Sequence, residues 1–295
     1  MKRVALTGAT GFVGRSIHRA LAAAGHEVVP VIRTGSGDRL AASAMPAILT
    51  DDLFAGDSGW WMDRLAGIDA IIHAAWYVEP GKYLDSDRNL DCVSGTLALA
   101  RGARRAGVGH FIGIGTCMEY RLPSPALAID SPLGPSTLYG ASKLALFEML
   151  GRYFGESETV FSWCRLFYLH GEGEHPARLV PYIRQQLARG ETARLSAGTQ
   201  LRDFLDVGAA GAMIARVIET GQPGAINVCS GQAVTIRQLA ERIADESGRR
   251  DLLDFGTAAI HPADPASVVG ICNATRPNGM PETHDESPVE AADQS

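Results

Sequence analysis

Apolar positions along the chain fall into short runs that alternate with longer stretches of helical period. Val4–Thr7 is followed by the helical stretch Val13–Ala24. The runs Val28–Ile32, Ala47–Leu49 and Ala70–His73 come next, then a long helical stretch over Leu90–Ala106 and the run Phe111–Gly115. This is the βαβ rhythm of an α/β doubly wound parallel sheet. A helix from Tyr139 to about Phe154 and a strand over Val160–Leu166 continue it. Past Gly171 the pattern loosens into helical stretches at Leu179–Ala188, Gly208–Glu219 and Ile236–Glu246, parted by loops with Gly and Pro. We expect a first domain over 1–170, a smaller substrate-binding lobe over 171–276 woven onto the sheet, and a disordered tail over 277–295, where Pro, Glu, Asp, Ser and Gln leave little to bury.

The first strand runs straight into Thr7-Gly8-Ala9-Thr10-Gly11-Phe12-Val13-Gly14 and a helix. Glycines spaced this way between strand and helix fit a dinucleotide: Gly8 allows a tight turn, Gly11 admits the pyrophosphate and Gly14 lets the helix pack close. The helix N-terminus adds N–H donors and partial positive charge, so Thr10, Phe12 and Val13 join the glycines as cofactor-binding positions in a Rossmann-like fold. The second strand ends in Arg33 rather than an acid, which favours a 2′-phosphate and hence NADP(H) over NAD(H). Asp52 and Leu53, after the third strand, are placed to meet the adenine edge.

Tyr139-Gly140-Ala141-Ser142-Lys143 places a phenol and an ammonium one helical turn apart, on the same face. A cation beside a phenol favours the phenolate, so Lys143 is expected to lower the Tyr139 pKa and fit it for proton transfer.

Composition narrows the field. With 46% hydrophobic residues the chain can bury a sizeable core, and a net charge of −6 gives no basic field for nucleic acid. The five cysteines lack metal-ligand spacing and read as reduced thiols, no apolar run reaches the ~20 residues of a membrane helix, and a cytoplasmic protein is expected. His170 and His175, among Glu172 and Glu174, match no zinc signature, so no metal is expected.

Taken together, these motifs resemble the extended short-chain dehydrogenase/reductase family, in particular its nucleotide-sugar epimerase, dehydratase and reductase branch. The likeness spans nearly all of residues 1–276. It includes His73-Ala74-Ala75, similar to the family's segment flanking the cofactor, and Arg202-Asp203-Phe204, similar to its RDF-type segment, whose arginine meets a nucleotide-sugar diphosphate. The resemblance implies a third catalytic group at Thr116, within Gly115-Thr116-Cys117-Met118-Glu119-Tyr120. It also implies that Lys143 anchors the nicotinamide ribose, and that the helices of Leu90–Ala106 and Tyr139–Phe154 form a homodimer interface. Where dehydratases of the family carry an acidic pair, this chain has Cys117 and Met118, which disfavours dehydration. Cys92 replaces the family's usual Asn before Val-x-Gly-Thr, and Tyr168 replaces the later Asn of its R-x-x-N pattern.

Trp76, Tyr77, Cys117, Met118, Glu119 and Tyr168 are candidate substrate contacts, with Arg178 and Arg202 as diphosphate clamps. The leading expectation is a ketoreductase that reduces a nucleotide-activated 4-keto-6-deoxy sugar, with Tyr139 as general acid. The alternatives are an NAD-dependent nucleotide-sugar 4-epimerase, a reductase of small carbonyl compounds, and a non-catalytic NADP-binding sensor or scaffold.

Overall fold

The computed structural model of the protein describes residues 1–34, 47–124, 126–259 and 264–275. The expected tail over 277–295 lies outside the described residues. The apolar runs form β1 (Arg3–Thr7), β2 (Glu27–Arg33), β3 (Ile48–Thr50), β4 (Ala70–His73), β5 (His110–Thr116) and β6 (Val160–Leu166). Between them lie α1 (Phe12–Ala23), α2 (Ser58–Arg64), α3 (Arg88–Arg105) and α4 (Leu138–Gly155). Helix α2 has no counterpart in the periodicity reading. It is short, and is started by Asp57, whose carboxylate accepts from the N–H groups of Gly59 and Trp60.

These strands and β11 (Gly224–Val228) make one seven-stranded sheet in the order β11-β6-β5-β4-β1-β2-β3, parallel throughout. Alternation along each strand divides its side chains between two layers. Val4, Leu6, Ile72 and Ile112 face α1 and α6 (Val207–Thr220), whereas Ala5, Ile71, Phe111 and Trp163 face α2, α3 and α4. The strand order reverses direction between β1 and β4, and ligands of such sheets bind at the C-terminal strand ends beside that point.

After residue 171 the chain does not stay in the lobe. Helix α6 packs on α1 and β11 pairs with β6, both within the main layers. Between them and afterwards, α5 (Leu179–Arg189) and α7 (Ile236–Asp245) close on each other through Val180, Ile183, Leu187, Ala240 and Ile243. The final segment returns to the sheet edge, where the Leu127 N–H donates to Val269 O and the Ile271 N–H to Leu127 O, each at 2.9 Å. No helix among the described residues is long and apolar enough to cross a membrane.

Two buried histidines tie the sheet together. Thr96 Oγ1 donates its only hydrogen to Cys92 O (2.7 Å), so at 2.9 Å it must accept from His73 Nε2–H. His73 Nδ1 then accepts from Thr7 Oγ1 (2.8 Å), whose oxygen accepts from the Ala75 N–H (3.2 Å). This chain links β1, β4 and α3 through a neutral imidazole. Burial, helped by the charge of Lys143, pushes His73 down to about 3, and burial, helped by Lys2, pushes His110 down to about 4. The unfolded chain takes up these protons near pH 6.5 and the folded protein only near 3 to 4. Stability from both residues is therefore full above about pH 6.5 and lost as the pH falls toward 4. Urea midpoints should drop between pH 7 and pH 5, and His110→Gln should flatten part of that slope whatever its absolute stability.

Candidate active site

The glycine turn has the shape a dinucleotide needs. Gly8 sits at φ +70°, and a Cβ there would come within 2.8 Å of the Ala74 and Ala75 backbone. A Cβ on Gly14 would lie 1.9 Å from Gly8 O, so α1 can start this close to the strand only on glycine. Gly11 is exposed as the N-cap of α1; it provides no side-chain cap, and no acid stands in the first turn. The free N–H groups and dipole of α1 are thus left for an anion such as a pyrophosphate. The residues present fit the group.

The other expected cofactor positions divide. Thr10, Ala74 and Ala75 are half-buried at the turn, while Phe12 and Val13 turn their side chains into the core beneath it, leaving only backbone for a ligand. Arg33 is exposed at the end of β2. Asp52 is exposed and accepts from the Phe54 N–H (2.9 Å), and Leu53 packs against the core. His73 is a correction: it is buried as the β1–β4–α3 link, because the strand end turns its ring inward between two threonines.

Thr116, Tyr139 and Lys143 converge at the C-terminal end of β5. The Thr116 side chain lies near the Tyr139 hydroxyl and favours its phenolate, and Lys143 Nζ donates to Ile114 O at 2.7 Å. The Tyr139 ring stands between Trp76 (centroids 6.3 Å apart) and Tyr83 (4.9 Å), both edge-on. Lys143 Nζ lies 3.7 Å over the Trp76 ring. The expected lowering of the Tyr139 pKa is not what this arrangement gives. Burial raises its hydroxyl, the neighbouring Tyr83 adds to this, and Thr116 only partly offsets them. The physical reason lies in Lys143: enclosed in the same pocket, it is itself pushed down to about 7 by burial, so near neutrality it carries only part of a charge.

On the substrate side, Glu119 is a second correction. Instead of facing a ligand it is wholly buried, accepting from Arg165 Nε (2.7 Å), Trp163 Nε1 (2.9 Å) and the Thr116 N–H (2.9 Å). Burial raises its carboxyl and Arg165 pulls it back. Its spacing of three from Thr116 is that of a capping box, the sequence signal for this inward role. Cys117 is buried among Tyr120, Leu127 and Phe167, its thiol pushed up to about 12 by burial, and Met118 packs beside it. Tyr77 gives its hydroxyl to Glu79 (2.9 Å), and its ring lies under Arg88.

Arg202 is buried below the half-buried Tyr168 ring (5.3 Å) and donates to Asp264 Oδ1 at 2.6 Å. Arg178 is half-exposed, 3.9 Å from Glu174. Residues that motif reading passed over complete the site. Asp264 holds Arg202, Tyr83 abuts the Tyr139 ring, and Asn89 accepts from Trp76 Nε1 (2.8 Å) while donating to Tyr83 O (2.7 Å). Neither Tyr83 nor Asp264 belongs to a motif, and only the fold brings them in.

The chain is 30% identical to dTDP-6-deoxy-L-talose 4-dehydrogenase (NAD(P)(+)) of Kitasatospora kifunensis, over 83% of this chain and 79% of that protein. It is 32% identical to GDP-6-deoxy-D-mannose reductase of Pseudomonas aeruginosa, over 83% and 80%. UDP-glucose 4-epimerase of Thermotoga maritima superposes with a TM-score of 0.78 at 18% identity, covering 92% of this chain and 90% of that one, a likeness of fold. A sequence model described as the NAD dependent epimerase/dehydratase family matches residues 4–229. The chain belongs to that family, within the extended short-chain dehydrogenases/reductases that its two motifs resemble.

Proposed function

We propose that the protein reduces a nucleotide-activated 4-keto-6-deoxy sugar, with NADP(H) preferred and NAD(H) accepted as cofactor. The observation that carries this reading is the convergence of Tyr139, Thr116 and Lys143 in a pocket whose adjacent acid positions hold Cys117 and Met118 while Glu119 is withdrawn into the core. Such a pocket serves proton transfer to a carbonyl oxygen but has no carboxylate pair for dehydration. Two relatives named for oxidoreduction of 6-deoxyhexoses support the substrate class.

When bound, the dinucleotide supplies a hydride to the carbonyl carbon. Thr116 holds the carbonyl oxygen through its hydroxyl, and Tyr139 gives that oxygen its phenolic proton. Lys143, when protonated, stabilises the phenolate left behind. The buried Arg202 and the half-exposed Arg178 are the diphosphate clamps of this reading. We further infer a cytoplasmic homodimer. It would join outer faces of α3 and α4, where Leu90 and Met149 are exposed.

The second reading, an epimerase with retained NAD, uses the same three residues, and 27% identity over 84% of this chain to UDP-glucose 4-epimerase of Neisseria meningitidis favours it. Tyr139→Phe should keep NADPH affinity while lowering turnover of keto-sugar nucleotides about 100-fold or more; retained turnover overturns the role of Tyr139. Mass spectrometry of small molecules released on denaturation separates the readings, since stoichiometric NAD would identify an epimerase. Arg33→Asp should move the NADP/NAD preference toward NAD, read from the ratio of kcat/KM values, and an unchanged ratio removes Arg33 from cofactor selection. Because Lys143 titrates at about 7, reductive kcat should fall as the pH rises through about 7, and Lys143→Met should abolish that limb.

A further inference from the structure

The segment between β4 and α3 is bound into the active site by its own hydrogen bonds. Asn89, fully buried, donates to Tyr83 O (2.7 Å) and Ser86 O (2.8 Å) and accepts from Trp76 Nε1 (2.8 Å). From the opposite side, the Tyr139 N–H donates to Leu84 O (2.8 Å), and the Leu138 N–H donates to Asp85 Oδ1 (3.3 Å). The backbone of Tyr83 is thereby fixed relative to the catalytic helix. Its ring meets that of Tyr139 edge-on at 4.9 Å and 83°, as the ring of Trp76 does at 6.3 Å.

Tyr83 also lies near Arg178, from the segment past residue 171. Burial keeps its phenol protonated and hence a donor at neutral pH, although the nearby positive Arg178 works against this. Arg178 also approaches Glu174, whose Oε2 is buried with no hydrogen-bond partner among the described residues. The half-buried phenol beside Tyr139 and the unmet carboxylate oxygen both lie near the half-exposed Arg178 guanidinium and make a polar edge of the site. Such groups gain by meeting a ligand's hydroxyl groups.

We propose that Tyr83 is a specificity-determining residue, its phenol donating to an oxygen of the sugar ring next to the carbon served by Tyr139, with Arg178 and Glu174 holding that edge of the pocket. This rests on the nucleotide-sugar reading given above. Neither the glycine turn nor the Tyr139–Lys143 pair requires it.

Calorimetric titration of the NADP-loaded protein tests it, with UDP-glucose, dTDP-glucose and GDP-mannose set against UDP, dTDP and GDP as probes. In the wild type, at least one nucleotide sugar should bind more tightly than its own diphosphate. Tyr83→Phe, which keeps the ring on Tyr139, should weaken that sugar about tenfold, as one lost hydrogen bond does, and leave the diphosphate and NADP unchanged. Equal affinity of wild type and variant for the sugar overturns the proposal alone, as does an equal weakening of sugar and diphosphate, which marks a structural role. A wild type that binds no nucleotide sugar overturns the nucleotide-sugar reading and this inference with it.

Discussion

The ion pair between Glu119 and Arg165 fixes how β5 ends and turns. Both side chains are wholly buried, and the carboxylate is shared among Arg165, Trp163 and the Thr116 N–H. Two charges withdrawn from water are tolerated only when geometry and hydrogen bonds satisfy them, and removing one partner of such a pair typically costs about 3–5 kcal/mol. Here the pair joins β5 to β6 just where β5 ends, so the turn carrying Thr116 follows from it. A Cβ on Gly115 would lie 2.2 Å from Trp163 Nε1 and 2.5 Å from Glu119 Oε1, and the strand leaves that space open. Arg165 extends the network through the Tyr120 hydroxyl (3.1 Å) to Asn227 on β11, the strand returning from the lobe.

Enclosure by aromatic rings governs the electrostatics of the site. Burial moves Tyr139 up and Lys143 down, each toward its neutral form, and the two effects oppose the ion-pair logic of neighbouring side chains on one helical turn. The same low-polarity surroundings keep His73 neutral, which lets it bridge two threonines and steady the Ala74–Ala75 backbone against Gly8. The glycine turn and the Tyr139–Lys143 pair therefore share one buried frame.

The lobe is held to that frame by polar contacts of the RDF segment. Asp203, fully buried, accepts from the N–H groups of Ser230 (2.7 Å), Gly231 (2.9 Å) and Gly270 (3.2 Å). Its neighbour Arg202 is oriented by Asp264 from the returning C-terminal segment. The segment is thus tied inward at both residues, the arginine to Asp264 and the aspartate to the stretches at Ser230–Gly231 and Gly270.

The sequence by itself determined the parallel sheet, because period-two and period-3.6 patterns record local geometry. It also placed the glycine turn and the Tyr139–Lys143 pair, whose spacings are set within a single turn or helix. It did not determine the inward direction of Glu119 and His73, the pairing of Arg202 with Asp264, or the place of Tyr83 against Tyr139. Residues 62 apart for Arg202–Asp264 and 46 apart for Arg165–Glu119 meet only when strands and segments distant in the chain pack together. Whether a polar side chain there faces ligand or core depends on the burial those contacts create, which no local pattern encodes.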